Sequence, residues 1–171
     1  ESESRGLGDV YKRQHGYFGG GGPSSSIKST MEKVTYASDT TATVPGANLS
    51  LGRSRLAATG NSSFGYFGGG NPARSTMDKV TYASDTTAAV PGANLSLARQ
   101  ELAATGNLTA GYFGGGSPSS KSTMDKVTYA SDTTAAVPGA NLSVPRYGLA
   151  ATSARAYGLP VIVPMPTSNI V

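Results

Sequence analysis

Cysteine and tryptophan are absent from this chain of 171 residues, histidine occurs once, and only 14% of the residues are charged. Without cysteine there is no disulfide framework and no thiolate metal site, and the compartment stays open among cytosol, virion and cell surface. A single histidine, His15, excludes a histidine-rich metal site and argues against a catalytic triad or a histidine general base. No run of about 18 apolar residues is present, so no membrane span is expected. The net charge of +4 is mild, and no cluster of Lys and Arg interleaves with stacking aromatics, so no nucleic-acid partner is expected. Large apolar side chains are also scarce, with 8% aromatics against 23 glycines. That disfavours one deep core and suits thin stacked sheets with small residues between them. Disorder does not fit, because β-branched and aromatic residues recur at fixed places.

The recurrence is what the sequence does have. The phrase GYFGGG…STMDKVTYASDTTAAVPGANLS…R…LAATGN is written three times, starting at Gly16, Gly65 and Gly111. Tyr36, Tyr82 and Tyr129 keep the same spacing as Leu49, Leu95 and Leu142 and as Arg53, Arg99 and Arg146. The copies differ mainly between GYFGGG and the following Met, around Pro23, Pro72 and Pro118. Variation confined to one connection marks a surface loop, and the remainder is a packed unit. The expected organisation is repeat 1 over 15–64, repeat 2 over 65–110, repeat 3 over 111–152, and a divergent tail over 153–171.

Within a copy, four segments read as strands. Lys79 to Ser84 alternates, with Val80 and Tyr82 on one side and Lys79, Thr81 and Ala83 on the other, the period of a half-buried strand. Thr86 to Val90 follows across a tight Ser84–Asp85 corner, which Asp caps through its own backbone. Pro91–Gly92 stops that strand. Glu101 to Gly106 is next, and Gly106–Asn107 turns the chain into AGYFGGG. Helix is disfavoured throughout, since each segment is short, rich in Thr and Val, and bounded by Gly or Pro. One copy is therefore a four-stranded antiparallel meander of about 47 residues that must bury its faces against its duplicates. Radial blades and a linear β-solenoid both satisfy this, and four strands per copy favour blades. The glycine triplets let neighbouring backbones approach where blades converge.

These residues, Arg99 before LAATG, then YFGGG, KVTYAS and TTAAVPGANL, resemble the Kelch repeat in order and type over about 15–152. The Trp usual on the family's fourth strand is missing, with Ala88 to Val90 in its neighbourhood. The wording FGGG, YASDTT and LAATG is also similar to repeats in tail and tail-fibre proteins of tailed bacteriophages. What the resemblance implies is an all-β fold, a partial Kelch-like β-propeller of three tandem four-stranded antiparallel blades, with a β-solenoid-like stack as the alternative. Residues 9–14, DVYKRQ, look like a translated sequencing-library adapter. On that reading residues 1–14 are a scar outside the fold, and the frame is a fragment whose start and any targeting signal are lost. The repeats then begin inside a second strand and end just after a first strand, Leu149 to Thr152, with Val161 to Val163 a possible closing strand.

The repeated positions carry few groups suited to chemistry. GYFGGG lacks the helix and GK[ST] of a phosphate-cradling loop. Asp39, Asp85 and Asp132 give one carboxylate per SDTT corner, too few for calcium, and read as turn caps. Arg53, Arg99 and Arg146 are candidates to hold sugar or carboxylate groups bidentately, and Tyr17, Tyr66 and Tyr112 to stack on glycans. For both sets the structural reading is favoured, the arginines pinning neighbouring loop backbone and the tyrosines forming core. Asn48, Asn94, Asn141 and Asn107 match glycosylation acceptors, but a turn-forming Asn accounts for them better. The expectation is a non-enzymatic structural or receptor-binding element at a virion or cell surface, with no cofactor. Its partners would be a host glycan or protein, and other blades or subunits through open sheet edges. An intracellular Kelch-type adaptor, an extracellular adhesin and a non-catalytic fragment of a propeller enzyme are the rivals.

Overall fold

The structure is a computed structural model that describes residues 15–23 and 25–153. The expectations placed on residues 1–14 and on Val161 to Val163 lie outside these residues. The fold is all-β, as the sequence leads one to expect, and it is built of three antiparallel meanders. The first comprises β1 (His15–Gly19), β2 (Met31–Thr35) and β3 (Thr40–Thr43). The second comprises β4 (Ala57–Gly60), β5 (Phe64–Gly68), β6 (Met77–Thr81) and β7 (Thr86–Ala89). The third comprises β8 (Ala103–Gly106), β9 (Ala110–Gly114), β10 (Met124–Thr128) and β11 (Thr133–Ala136). Each PGA triplet, Pro45–Ala47, Pro91–Ala93 and Pro138–Ala140, forms a single 3₁₀ turn, because Pro presets the first helical φ and cannot extend a strand ladder.

The sheets stack face to face, and the pleat explains how the middle one is buried on both sides. Along β5, Phe67 packs with Met31, Ala47, Leu49 and Val80. Its neighbour Tyr66 points the other way, into a cluster with Met77, Leu95, Leu102, Phe113, Val127 and Tyr129. Along β6, Asp78 and Val80 face the first sheet and Met77 and Lys79 face the third. The ladder pairs Tyr66 with Lys79 and Phe67 with Asp78, so each cross-strand pair shares a face. Full burial of side chains such as Tyr66, Phe113 and Val127 contributes about 1.5–3 kcal/mol each. The core is thus two interlayers, one per seam.

Some strand bounds and one corner differ from the sequence reading. Strand β6 starts at Met77 and ends at Thr81, rather than running from Lys79 to Ser84. The corner takes four residues, Tyr82 to Asp85, because Asp85 sits at φ 51°, a left-handed conformation that Asp tolerates. The strand β8 begins at Ala103 and not at Glu101, since Glu101 has φ 56° and breaks the extended run. Leu149 to Thr152 forms no strand. In the two complete sheets LAATG is held by ladder bonds to the GYFG strand that follows it, whereas Leu149–Thr152 has no such partner among the described residues. Leu149 nonetheless packs at Gly115 as Leu102 does at Gly69.

Two glycines show why the repeat needs them. A Cβ on Gly65 would lie 2.7 Å from Tyr82 Oη, so the Tyr82 ring crosses the strand where no side chain stands. Gly69 has φ +72°, and a Cβ there would meet Arg99 O at 2.6 Å. The expected close backbone approach at the glycine triplet is present at this point.

Candidate functional site

The chemistry-bearing residues gather in the two seams between sheets, and the seams are copies of one another. In the first, Arg53 is tethered by its backbone to the loop of the first sheet: its N–H donates to Lys28 O at 3.1 Å and its carbonyl accepts from Gly21 N–H at 2.9 Å. Its side chain reaches into the second sheet, where Nη2 donates to Asp78 Oδ2 at 2.7 Å and Phe67 O at 3.1 Å, and Nη1 to Thr76 O at 2.8 Å. In the second seam, Arg99 donates to Asp125 Oδ2 at 2.6 Å and to the carbonyls of Phe113, Gly115 and Thr123. Arg53, Arg99, Asp78 and Asp125 have no exposed surface. Burial pushes both guanidinium pKa values down, opposed by the facing carboxylate in each case. The same carboxylates accept a backbone bond from Ser50 N–H at 3.1 Å and Ser96 N–H at 2.9 Å.

Toward the turn tips each seam carries a second cluster. Tyr17 Oη donates to Asp85 Oδ1, and Lys33 Nζ lies 2.9 Å from Asp85 Oδ2. Tyr66 Oη donates to Asp132 Oδ1 at 2.5 Å, with Lys79 Nζ 2.8 Å from Asp132 Oδ2. The rings stack across the seams, Tyr17 on Tyr82 at 5.0 Å and Tyr66 on Tyr129 at 4.8 Å between centroids. Such pairs are worth about 0.5–1.5 kcal/mol beyond their burial. Burial and the acceptor carboxylate raise the pKa of both phenols, Tyr17 and Tyr66, well above the usual value. Burial would raise Asp85 and Asp132, but hydrogen bonds from the Tyr and Lys partners outweigh it and hold both carboxyls below their ordinary value.

The six binding candidates therefore divide by place. Arg53, Arg99 and Tyr66 are buried within seams, with no surface open to a ligand. Tyr17 is half-buried at the first seam. Tyr112 is half-buried and Arg146 exposed on the outer face of the third sheet. Asp85 and Asp132, expected to cap their own turns, direct their carboxylates instead to the Tyr and Lys side chains of the preceding repeat and join one repeat to the next. The asparagines of the NLS triplets also have a role that turn formation alone misses. The Oδ1 atoms of Asn48, Asn94 and Asn141 accept from Met31, Met77 and Met124 N–H at 3.0, 3.0 and 2.9 Å, closing the loop onto the start of a strand. Asn107 Oδ1 accepts from Thr109 and Ala110 N–H, an Asx turn.

A cleft of about 540 Å³ opens beside the Tyr17–Asp85 contact, lined by residues including His15, Lys33, Phe64 and Tyr82. In the second seam Phe64 stands where His15 stands in the first, and Lys79 Nζ lies 4.0 Å from its ring centroid. Among the described residues no three of His, Asp or Glu are grouped to hold a metal ion. No helix there is long and apolar enough to cross a membrane. The tips of the loops that vary between repeats are exposed at Pro23, Pro72, Pro118, Ser119 and Ser120, while the bases of the second and third loops bond by their backbones at Asn71 to Ser54 and at Ser117 to Gln100. No protein-family model matches the chain, and no curated protein matches it in sequence.

Proposed function

We propose that the chain is a non-enzymatic structural and receptor-binding repeat protein of Kelch-like blades, part of a phage tail or a surface adhesin, that displays its variable loops to a host-surface glycan or protein. The observation that carries this reading is how the ionisable residues are spent. Arg53, Arg99, Asp78, Asp125, Lys79 and Asp132 are committed to holding one sheet on the next. What differs between copies is the polar connection around Pro23, Pro72 and Pro118. A rigid stack with small variable loops at repeated positions is a device for binding by avidity, in which weak contacts multiply when several engage together. The likeness of the wording to tail-fibre repeats supports placing it at a virion or cell surface.

The test is binding of the fluorescently labelled chain to a panel of intact bacterial cells. The expected result is cell-type-selective binding that is lost when residues 72–74 and 118–120 are both replaced by Gly/Ser linkers of equal length while the β circular dichroism persists. Periodate treatment of the cells abolishes binding to a glycan, and protease treatment abolishes binding to a protein. Undiminished binding by the loop-replaced chain, or the absence of binding to any cell in the panel, overturns the reading.

A further inference from the structure

The two internal seams repeat one set of contacts, and the ion pairs and Tyr–Asp bonds run in the same direction in both. Donors come from the earlier sheet and its connecting loop, as Arg53, Lys33 and Tyr17 do, and as Arg99, Lys79 and Tyr66 do again. Acceptors come from the later sheet, as Asp78 with Asp85, and Asp125 with Asp132. Thr87 and Thr134 add a bond from Oγ1 to the carbonyls of Ala47 and Ala93, at 2.5 and 2.6 Å.

A third set of donors stands on the outer face of the third sheet. Arg146 is tethered as Arg53 and Arg99 are: its N–H donates to Lys121 O at 3.0 Å and its carbonyl accepts from Gly116 N–H at 2.9 Å. Its side chain, buried at the other two positions, is exposed here. Met124 and Leu142 are half-covered, whereas Met31 and Met77 are fully buried and Leu49 and Leu95 are 4% exposed. A third set of acceptors stands on the outer face of the first sheet. Glu32 occupies the place of Asp78 and Asp125 and Asp39 that of Asp85 and Asp132, and both are exposed. Phe18 is 66% exposed where its counterparts Phe67 and Phe113 are 6% and 0% exposed. Tyr36, counterpart of the stacked Tyr82 and Tyr129, is 54% exposed.

We infer that these two faces are the halves of a third seam, and that a second copy of this chain fills each: the Arg146 face of one molecule docks on the Glu32 and Phe18 face of the next. The faces are complementary in charge, cationic on the third sheet and anionic on the first, and they match an interface the chain already makes twice within itself. The contact joins sheet faces rather than strand edges, and it is heterologous, so it leaves one free face at each end and propagates to a ring or an open stack. This inference does not rest on the proposed function.

Sedimentation equilibrium and light scattering of the full chain test it, using Arg146→Glu to spoil one face and Phe18→Ser to spoil the other. Both side chains are exposed, so both variants keep the wild-type circular dichroism. The expected result is a wild-type mass that rises with concentration, and for each variant alone an association weakened roughly thirtyfold or more. An equimolar mixture of the two variants forms a 1:1 dimer, because each contributes the face the other lacks. A wild-type chain that stays monomeric at all concentrations overturns the inference. So do variants that associate as the wild type does, or a mixture that stays monomeric.

Discussion

Arg99 Nη2 lies 2.6 Å from Asp125 Oδ2 with no solvent-accessible area on either side chain. A buried pair of this kind is poor evidence of net stabilisation, since the desolvation of both ions offsets their attraction. Its consequence is asymmetric. Removing one partner leaves the other charged and unpaired in the interior, which costs far more than removing both.

Accordingly, Arg99→Met is expected to destabilise the chain by about 3–5 kcal/mol, and Asp125→Leu by a similar amount. The double variant should recover much of that loss, because Arg99 Nε and Asp125 Oδ1 already lack protein partners and leave with the pair. Arg146→Ala, at the exposed equivalent position, should change stability by less than about 0.5 kcal/mol. Urea midpoints at neutral pH and a chain concentration low enough to prevent self-association separate these cases. Additive losses in the double variant would refute the coupling.

The crossing of Tyr82 over Gly65 makes a second prediction. An alanine at 65 places its Cβ 2.7 Å from Tyr82 Oη and 3.2 Å from the ring, an overlap that costs about 1–3 kcal/mol. Gly139→Ala serves as the reference, since a Cβ there meets nothing within 4 Å. Thermal denaturation should lower the midpoint for Gly65→Ala only, and Tyr82→Phe combined with Gly65→Ala should restore part of the loss by removing the nearest atom.

These two seams also mark what the sequence makes legible. Strand identity and the face each residue takes follow from alternation, and Val80 of β6 and Tyr82 just beyond its end lie on one side as expected. The partners of that face are not legible, because Tyr17 and Asp85 are 68 residues apart and belong to different copies. A signal was nevertheless present. Asp78 shares its parity with Val80 and Tyr82, so a carboxylate stood on the apolar side of the strand and required a cation. Arg53 was the repeated cation available. The four-residue corner and the break at Glu101 were hidden for another reason, since a left-handed φ at a non-glycine residue has no compositional mark.

Asn94 gives a third prediction. Its Oδ1 is the acceptor for Met77 N–H at 3.0 Å, the amide that opens β6. Asn94→Ala leaves that amide without its partner and should cost about 1–3 kcal/mol, while Asn94→Asp retains the acceptor and should cost less at neutral pH. Hydrogen exchange of the Met77 amide reports the effect directly: faster exchange is expected in Asn94→Ala than in the wild type or in Asn94→Asp. Equal protection in all three would show that the side-chain bond does not hold this end of the strand.

The last prediction concerns pH. Burial acts to raise the pKa of Asp132, yet the bonds from Lys79 and Tyr66 prevail and hold it below the ordinary carboxylate value. A group depressed in the folded state binds its proton more readily when unfolded, so its stabilisation is present above the unfolded pKa of about 3.9 and is lost as pH falls through the folded value. Stability should therefore fall on acidification below about pH 4, and Asp132→Asn should flatten that limb while lowering stability at neutral pH. Tyr66 has the opposite sign. Burial and the Asp132 carboxylate raise its pKa, so its contribution is present below the unfolded value of about 10 and disappears only as pH rises through the higher folded value. Ultraviolet titration of the phenols should then show a late-ionising fraction that shrinks in Tyr66→Phe. An acid limb as steep in Asp132→Asn as in the wild type would show that the seam carboxylates are not what acid undoes.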